Sequence, residues 1–242
     1  MAKKEVKNLP KIFLGSSPFI GAGQFGFKSL IYYQHFYLKP ENILKIIRRS
    51  WEFGVKGFNL LAYKPLIEAT RKALEEGLDL TILGTVEPKN FEFNVRLLEK
   101  IGVVGILVHA EITDNPNQKI VEDCFRFIRK TGRLTGFATH EPFKTLNRIQ
   151  KLNLDYDIVM VPLNITGTFM DSKPEELIKI LKGLRERGKF IIAKKVLAAG
   201  NLKPKEALEY VAKTGCVDAV VVGIASEEEI VETFTYAKRF FG

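Results

Sequence analysis

The stretch VVGILVHAEITDN, residues 103–115, runs an apolar segment into His109 and Glu111. Side chains two apart on a strand share a face, so an imidazole and a carboxylate placed this way can act on one ligand. Other apolar segments end in polar groups too. Asn59 sits at the end of one, with Tyr63 just beyond it. Glu87 ends the next, and Thr139, His140 and Glu141 end another. Asn164 follows a further one, and Lys194 and Lys195 lie late in yet another. Two of the three histidines of the chain occupy such ends, a placement that a site explains better than packing does.

Three chemistries fit these residue types. His109, Glu111 and His140, with Glu87 within reach, form a mixed nitrogen and oxygen set suited to Zn, Mn or Fe. Such a metal would activate water or polarise a carbonyl, as in a hydrolase, lyase or isomerase. Without a metal, Lys194 near His109 could serve as a nucleophile or an anion clamp, because a buried lysine beside another cation has a lowered pKa. The plain structural alternative to a reactive Lys194 is an ion pair with Glu111 or Glu141. In the third reading the barrel has lost catalysis and only binds a small polar ligand.

These groups need a scaffold that brings several strand ends together. Eight short apolar runs recur, at 11–17, 57–62, 80–86, 103–109, 134–140, 157–164, 190–196 and 218–225. Each is followed by an amphipathic helical pattern. Apolar runs of this length suit strands buried on both faces of a parallel sheet. Pro40, Pro65, Pro88, Pro116, Pro142, Pro174 and Pro204 mark helix starts, where a missing N–H is harmless. Gly54, Gly77, Gly102, Gly132, Gly188 and Gly215 mark helix ends. The pattern predicts a single (β/α)8 barrel over residues 1–242, ahead of an open doubly wound sheet. In such a barrel the polar strand ends line one mouth. The longest predicted loop, residues 19–40, is rich in aromatic residues and glycine; it reads either as a flap over that mouth or as a cover with its own small core.

Composition narrows the function classes. The 242 residues are 46% hydrophobic and 27% charged, as expected of a soluble globular chain. No apolar run reaches the roughly 18 residues of a membrane helix. The start, MAKKEVKNLPK, lacks the apolar core of a secretory signal, and the two cysteines fit no metal or redox spacing, so a cytoplasmic location is expected. The net charge of +9 invites a nucleic-acid partner. Much of the charge, however, falls in IIRRS, RFIRKTGR, LKGLRERGK and YAKRFF, the last turns of predicted helices, where cations complement the helix dipole. No interleaved aromatic platform accompanies it. The expected partner is a small molecule, with neither nucleic acid nor membrane.

The chain resembles the aldo-keto reductases along nearly its whole length. The resemblance rests on LGSSPFIGAG, GVKGFNLLAYKPLIEATRKAL, ILVHAE, GRLTGFATH, FIIAKKVLAAGNL and VVVGIASEEEIVETF, in that order. It implies a barrel fold and carbonyl reduction with NADP. It also implies a tetrad of Asp, Tyr, Lys and His in which the Tyr is the proton donor. Carried over, the Asp falls on Asn59, the Tyr on Lys64 or, with a one-residue gap, Tyr63, and the Lys on Val86; His109 matches. At the implied cofactor positions the Ser-Asn pair becomes Thr139-His140, a Gln becomes Met160 and an aromatic residue becomes Lys194. Gly223, Ala225 and Ser226 fall where cofactor phosphate would lie, although Ser226 and Glu229 also read as a capping box. A tyrosine without a neighbouring cation stays near its usual pKa of about 10. The departures therefore predict no NADPH-dependent turnover of generic aldehydes and weak cofactor binding at best.

Overall fold

A computed structural model of the chain describes residues 6–152 and 154–242. Residues 1–5 of the basic start lie outside that range. Among the described residues eight strands close in chain order into one parallel barrel. They are β1 Ile12–Gly15, β2 Gly57–Leu61, β3 Thr81–Val86, β4 Gly105–Val108, β5 Leu134–Ala138, β6 Ile158–Pro162, β7 Phe190–Lys194 and β8 Ala219–Gly223. Each lies inside the apolar run that predicted it. β1 pairs with β8 from Ile12↔Val220 to Gly15↔Gly223, which excludes the open sheet.

Eight long helices follow the strands: α1 Pro40–Glu52, α2 Lys64–Glu75, α3 Phe91–Ile101, α4 Gln118–Arg129, α5 Pro142–Ile149, α6 Pro174–Glu186, α7 Pro204–Lys213 and α8 Glu227–Phe241. Five of the seven marker prolines occupy a first helical turn. Pro88 and Pro116 do not. Each sits in the loop before its helix, because Asn90 and Asn117 take the N-cap positions of α3 and α4. Gly102 ends α3 at φ 87°, a left-handed conformation that an L side chain resists. No helix among the described residues is long and apolar enough to cross a membrane.

Alternation along the strands makes two cores. One face of each strand packs under the helices, with Leu14, Phe58, Leu60, Val86, Val108 and Ile191 among its members. The other face fills the barrel with Phe13, Leu83, Leu107, Ile158, Met160, Ile192 and Val221. Burying each large apolar side chain contributes roughly 1.5–3 kcal/mol. The inner face makes room for bulk by using glycine beside it: a Cβ on Gly57 would strike Phe13, and one on Gly136 would strike Leu107.

The segment 19–40 covers the barrel end with a small core of its own. It folds into short helical turns, Ser17–Ile20, Gly23–Phe25, Lys28–Tyr32 and Tyr33–Tyr37. Phe19 and Phe36 are buried with ring centroids 5.1 Å apart, the small core of a cover. Phe25 and Tyr32, 5.2 Å apart and edge to face, roof the mouth of the barrel.

Candidate functional site

The mouth opens into a cavity of about 340 Å³, within the range of small-molecule sites. Its wall is the last inward-facing turn of the sheet: Asn59, Thr85, His109, His140, Met160 and Lys194 all contribute. Period-2 alternation puts them there. On β7, Phe190 and Ile192 fill the barrel interior, so Lys194 is the next inward residue. On the fourth segment Gly105, Leu107 and His109 share a face in the same way.

His109 lies one residue past β4 and caps the short helical turn Ala110–Thr113. Its Nδ1 accepts the N–H of Glu111 at 3.3 Å. A neutral imidazole that accepts at Nδ1 carries its hydrogen on Nε2, so His109 offers the cavity a donor. Burial, reinforced by Lys194, pushes its pKa down to about 4. The rings of His109 and His140 lie 5.8 Å apart, edge to face. His140 stands more open to solvent; partial burial and then Lys194 and Lys195 push its pKa down to about 3. Its Nδ1 lies 3.2 Å from Lys195 Nζ, which also sits 4.7 Å above the Phe169 ring.

Both imidazoles are therefore neutral at pH 7, and this has a consequence for stability. An unfolded histidine takes up a proton near pH 6.5, whereas folded His109 resists protonation down to about pH 4. The stability at stake is fully present above about pH 6.5 and is lost as the pH falls toward 4. His109→Gln is expected to flatten the fall in melting temperature over that window. Parallel slopes for the two proteins would show that the ring is solvated.

Lys194 is half-buried and lines the cavity. Among the described residues its Nζ has no hydrogen-bond or ion-pair partner. Burial comes first and the Lys195 charge second in pushing its pKa down to about 7, against the pull of Asp114. The expected pairing with Glu111 or Glu141 is not made; Glu141 lies against Lys144 at 3.4 Å.

Several expected placements fail for identifiable reasons. Glu111 does not share a face with His109. The strand stops at Val108, and in the helical turn that follows, residues two apart point in different directions. The set His109, Glu111 and His140 thus does not assemble, and among the described residues no three His, Cys, Asp or Glu side chains are placed to hold a metal ion. Tyr63 is absent from the cavity wall. It donates its hydroxyl to Glu87 at 2.5 Å, and burial and that carboxylate raise its pKa well above the usual phenol range, the wrong direction for a proton donor. Val86 faces the helices; Thr85 is the inward residue of that pair. Asn59 is present but spends its amide N–H groups on Leu83 O at 3.1 Å and Thr85 Oγ1 at 3.0 Å. That leaves its carbonyl oxygen for the cavity.

One residue absent from the expectations organises this side of the mouth. Asp114 accepts from Thr139 Oγ1 at 2.5 Å, from Thr145 Oγ1 at 2.7 Å and from the backbone N–H of His140 at 2.8 Å. Arg148 holds the same turn through the carbonyls of Thr113 and Asp114. The signal was present in ITDN, which follows HAE directly.

Comparison with solved structures gives this architecture a context. A Pseudomonas aeruginosa protein assigned to the aldo-keto reductases superposes at a TM-score of 0.69 with 15% identity, over 97% of this chain and 92% of its own. The fold is that of the aldo-keto reductases. A reductase of this fold from Klebsiella pneumoniae in complex with NADPH gives 0.61, 15% identity and coverage of 95% and 86%. Giardia lamblia aldose reductase gives 0.62, 12% identity and coverage of 95% and 87%. No protein-family model matches the chain, and no curated protein sequence does.

The positions that the aldo-keto reductase resemblance offers to NADP do not fit it. Thr139 is fully buried and held by Asp114 rather than facing the cavity. Lys194 stands where an aromatic partner for nicotinamide would. At the start of α8, Ser226 Oγ accepts the N–H of Glu229 at 3.3 Å, as the capping box requires. Glu229 in turn takes the N–H of Ala225 at 2.7 Å, removing a donor from any phosphate. Gly223 and Ala225 do line the cavity, but beside the carboxylates of Glu229 and Glu232, which oppose an anion there.

Proposed function

We propose that the barrel mouth binds a small compound carrying a carboxylate and a carbonyl, and that its reaction is not NADPH-dependent reduction. The observation that supports this reading is Lys194, an amine without a partner among the described residues, at the inner end of a cavity whose imidazoles are neutral. Lys195 biases that end toward an anion, Lys194 presents an amine to the carbonyl, His109 Nε2–H supplies a donor for a carbonyl oxygen, and Asn59 supplies an acceptor. Phe25 and Tyr32 shield the ligand from water on the opposite side.

Thermal denaturation tests the reading with pyruvate and 2-oxoglutarate against the neutral ketone dihydroxyacetone. A ligand at about 100 times its Kd adds about 2.7 kcal/mol. For a chain of this length that is a rise of about 5–10 °C. The oxo acids are expected to give such a rise and dihydroxyacetone almost none. Lys195→Met should weaken the oxo acids about 10- to 100-fold, the worth of one charge-assisted hydrogen bond. NADPH, followed by its own fluorescence, should bind weakly and remain unoxidised by added aldehydes. Saturable NADPH binding with aldehyde-dependent oxidation would restore the reductase reading.

A further inference from the structure

We propose that Lys194 Nζ forms an imine with the carbonyl carbon of a 2-oxo acid bound at the barrel mouth. The inference rests on the reading of the mouth as a site for anionic carbonyl compounds, and it goes beyond binding to a covalent step.

The inward register of β7 fixes Nζ inside the cavity, with Met160 and Val221 on neighbouring strands beneath it. Lys194 is half-buried, and an ammonium group partly removed from water is costlier to keep without a partner than one in the open. Among the described residues no carboxylate, carbonyl or hydroxyl pairs with this one, and a second amine, Lys195, is its immediate neighbour in the chain. Both facts favour the free base. Two neutral imidazoles flank the amine and neither competes with it as a cation. The cavity carboxylates Glu229 and Glu232 belong to α8 and do not pair with Nζ.

The remaining groups match the rest of a 2-oxo acid. Lys195 Nζ, held between His140 Nδ1 and the Phe169 ring, is the cation available to the carboxylate. It is directed there by its backbone, because Lys195 adopts φ 55° and so leaves the strand in a sharp turn. His109 Nε2–H is the donor available to the keto oxygen.

The step balances without any other reagent. The lone pair of neutral Nζ adds to the carbonyl carbon, and the π electrons of C=O move to the oxygen, which accepts a hydrogen bond from His109. A proton passes from nitrogen to that oxygen, giving a carbinolamine. The nitrogen lone pair then forms C=N as the C–O bond breaks, and the hydroxyl leaves as water after taking one proton from solvent. The product is a protonated imine, with no change of oxidation state.

A rate advantage follows. An amine titrating at about 7 is about half free base at pH 7, against roughly one part in 2,500 for an ordinary lysine near 10.4. Its lower basicity makes it a weaker nucleophile, which leaves an advantage on the order of a hundredfold.

The test is reductive trapping. The whole chain is incubated with pyruvate and cyanoborohydride, and the adduct is located by peptide mass spectrometry. The expected result is one reduced carboxyethyl adduct, on Lys194, forming on the order of a hundredfold faster than on exposed Lys64. Its rate should rise through about pH 7 and vanish in Lys194→Met and Lys194→Arg, each checked for a native circular dichroism spectrum. If pyruvate raises the melting temperature but leaves no adduct on Lys194, the imine is refuted and the binding reading stands. If pyruvate does neither, both fail. Labelling spread evenly over surface lysines also refutes the imine.

Discussion

Gly136→Ala is expected to lower the melting temperature by about 6–12 °C, corresponding to a loss of about 3 kcal/mol in a chain of this size. Gly136 lies in the middle of β5 on the inward face. A Cβ there would stand 2.6 Å from the backbone oxygen of Ile158, 2.6 Å from Leu107 Cδ2 and 2.7 Å from Ile158 Cβ. Leu107 could rotate away, but the oxygen belongs to β6, which is paired to β5 at Gly136↔Ile158. Relief therefore requires two strands of a closed barrel to separate, which puts this change at the upper end of the usual 1–3 kcal/mol cost of overpacking. Gly183→Ala is the control. It lies within α6, and a methyl group added there would meet nothing within 4 Å, so alanine should stabilise the helix by about 0.5–1 kcal/mol. Equal melting temperatures for the two variants would contradict the tight inner packing.

Asp114→Ala is expected to cost about 3 kcal/mol as well, and to disturb the site in addition. It removes the acceptor from two threonine hydroxyls and one backbone N–H, and a buried donor left without a partner costs about 1–3 kcal/mol. Thr139 is fully buried and cannot turn to water for a replacement. Asp114→Asn keeps one acceptor oxygen and should lose less, about 1–2 kcal/mol. The asparagine variant also separates structure from electrostatics. Asp114 is the group that opposes the fall in the Lys194 pKa, so removing its charge should move the pH midpoint of any Lys194 reaction further down. If Asp114→Ala melts within about 1 °C of the parent, equivalent to about 0.3 kcal/mol at this chain length, the Asp114 bonds do not hold in solution.

The scaffold was readable from the chain because its signals are local. Apolar runs, prolines at helix starts and glycines at helix ends each report on a few consecutive residues, and all eight strands fell where those signals put them. His109 and Lys194 were readable for the same reason, since period-2 alternation carries an inward residue to the end of its strand. The errors came where the period changes. Glu111 was expected on the face of His109 by strand spacing, but the backbone had already become helical. The aligned lysine position fell on Val86 rather than Thr85, and a slip of one residue on a strand exchanges the barrel side for the helix side. Asp114 is not legible in the sequence because its three partners come from another strand end and another helix, and no spacing announces a contact across 25 to 31 residues.

The division of the interior into two cores bears on how such a protein can diverge. The residues under the helices and those filling the barrel carry the burial that holds the molecule together. The ring at the mouth, which includes Lys194 and His109, stands above the second core and shares Met160 with it. Exchanges in that ring alter chemistry while leaving most of the cohesive surface untouched. A lineage can therefore rewrite its reaction one strand end at a time and keep the barrel throughout. The same separation allows proteins with 12–15% identity to superpose over more than nine-tenths of this chain while their mouths need share little.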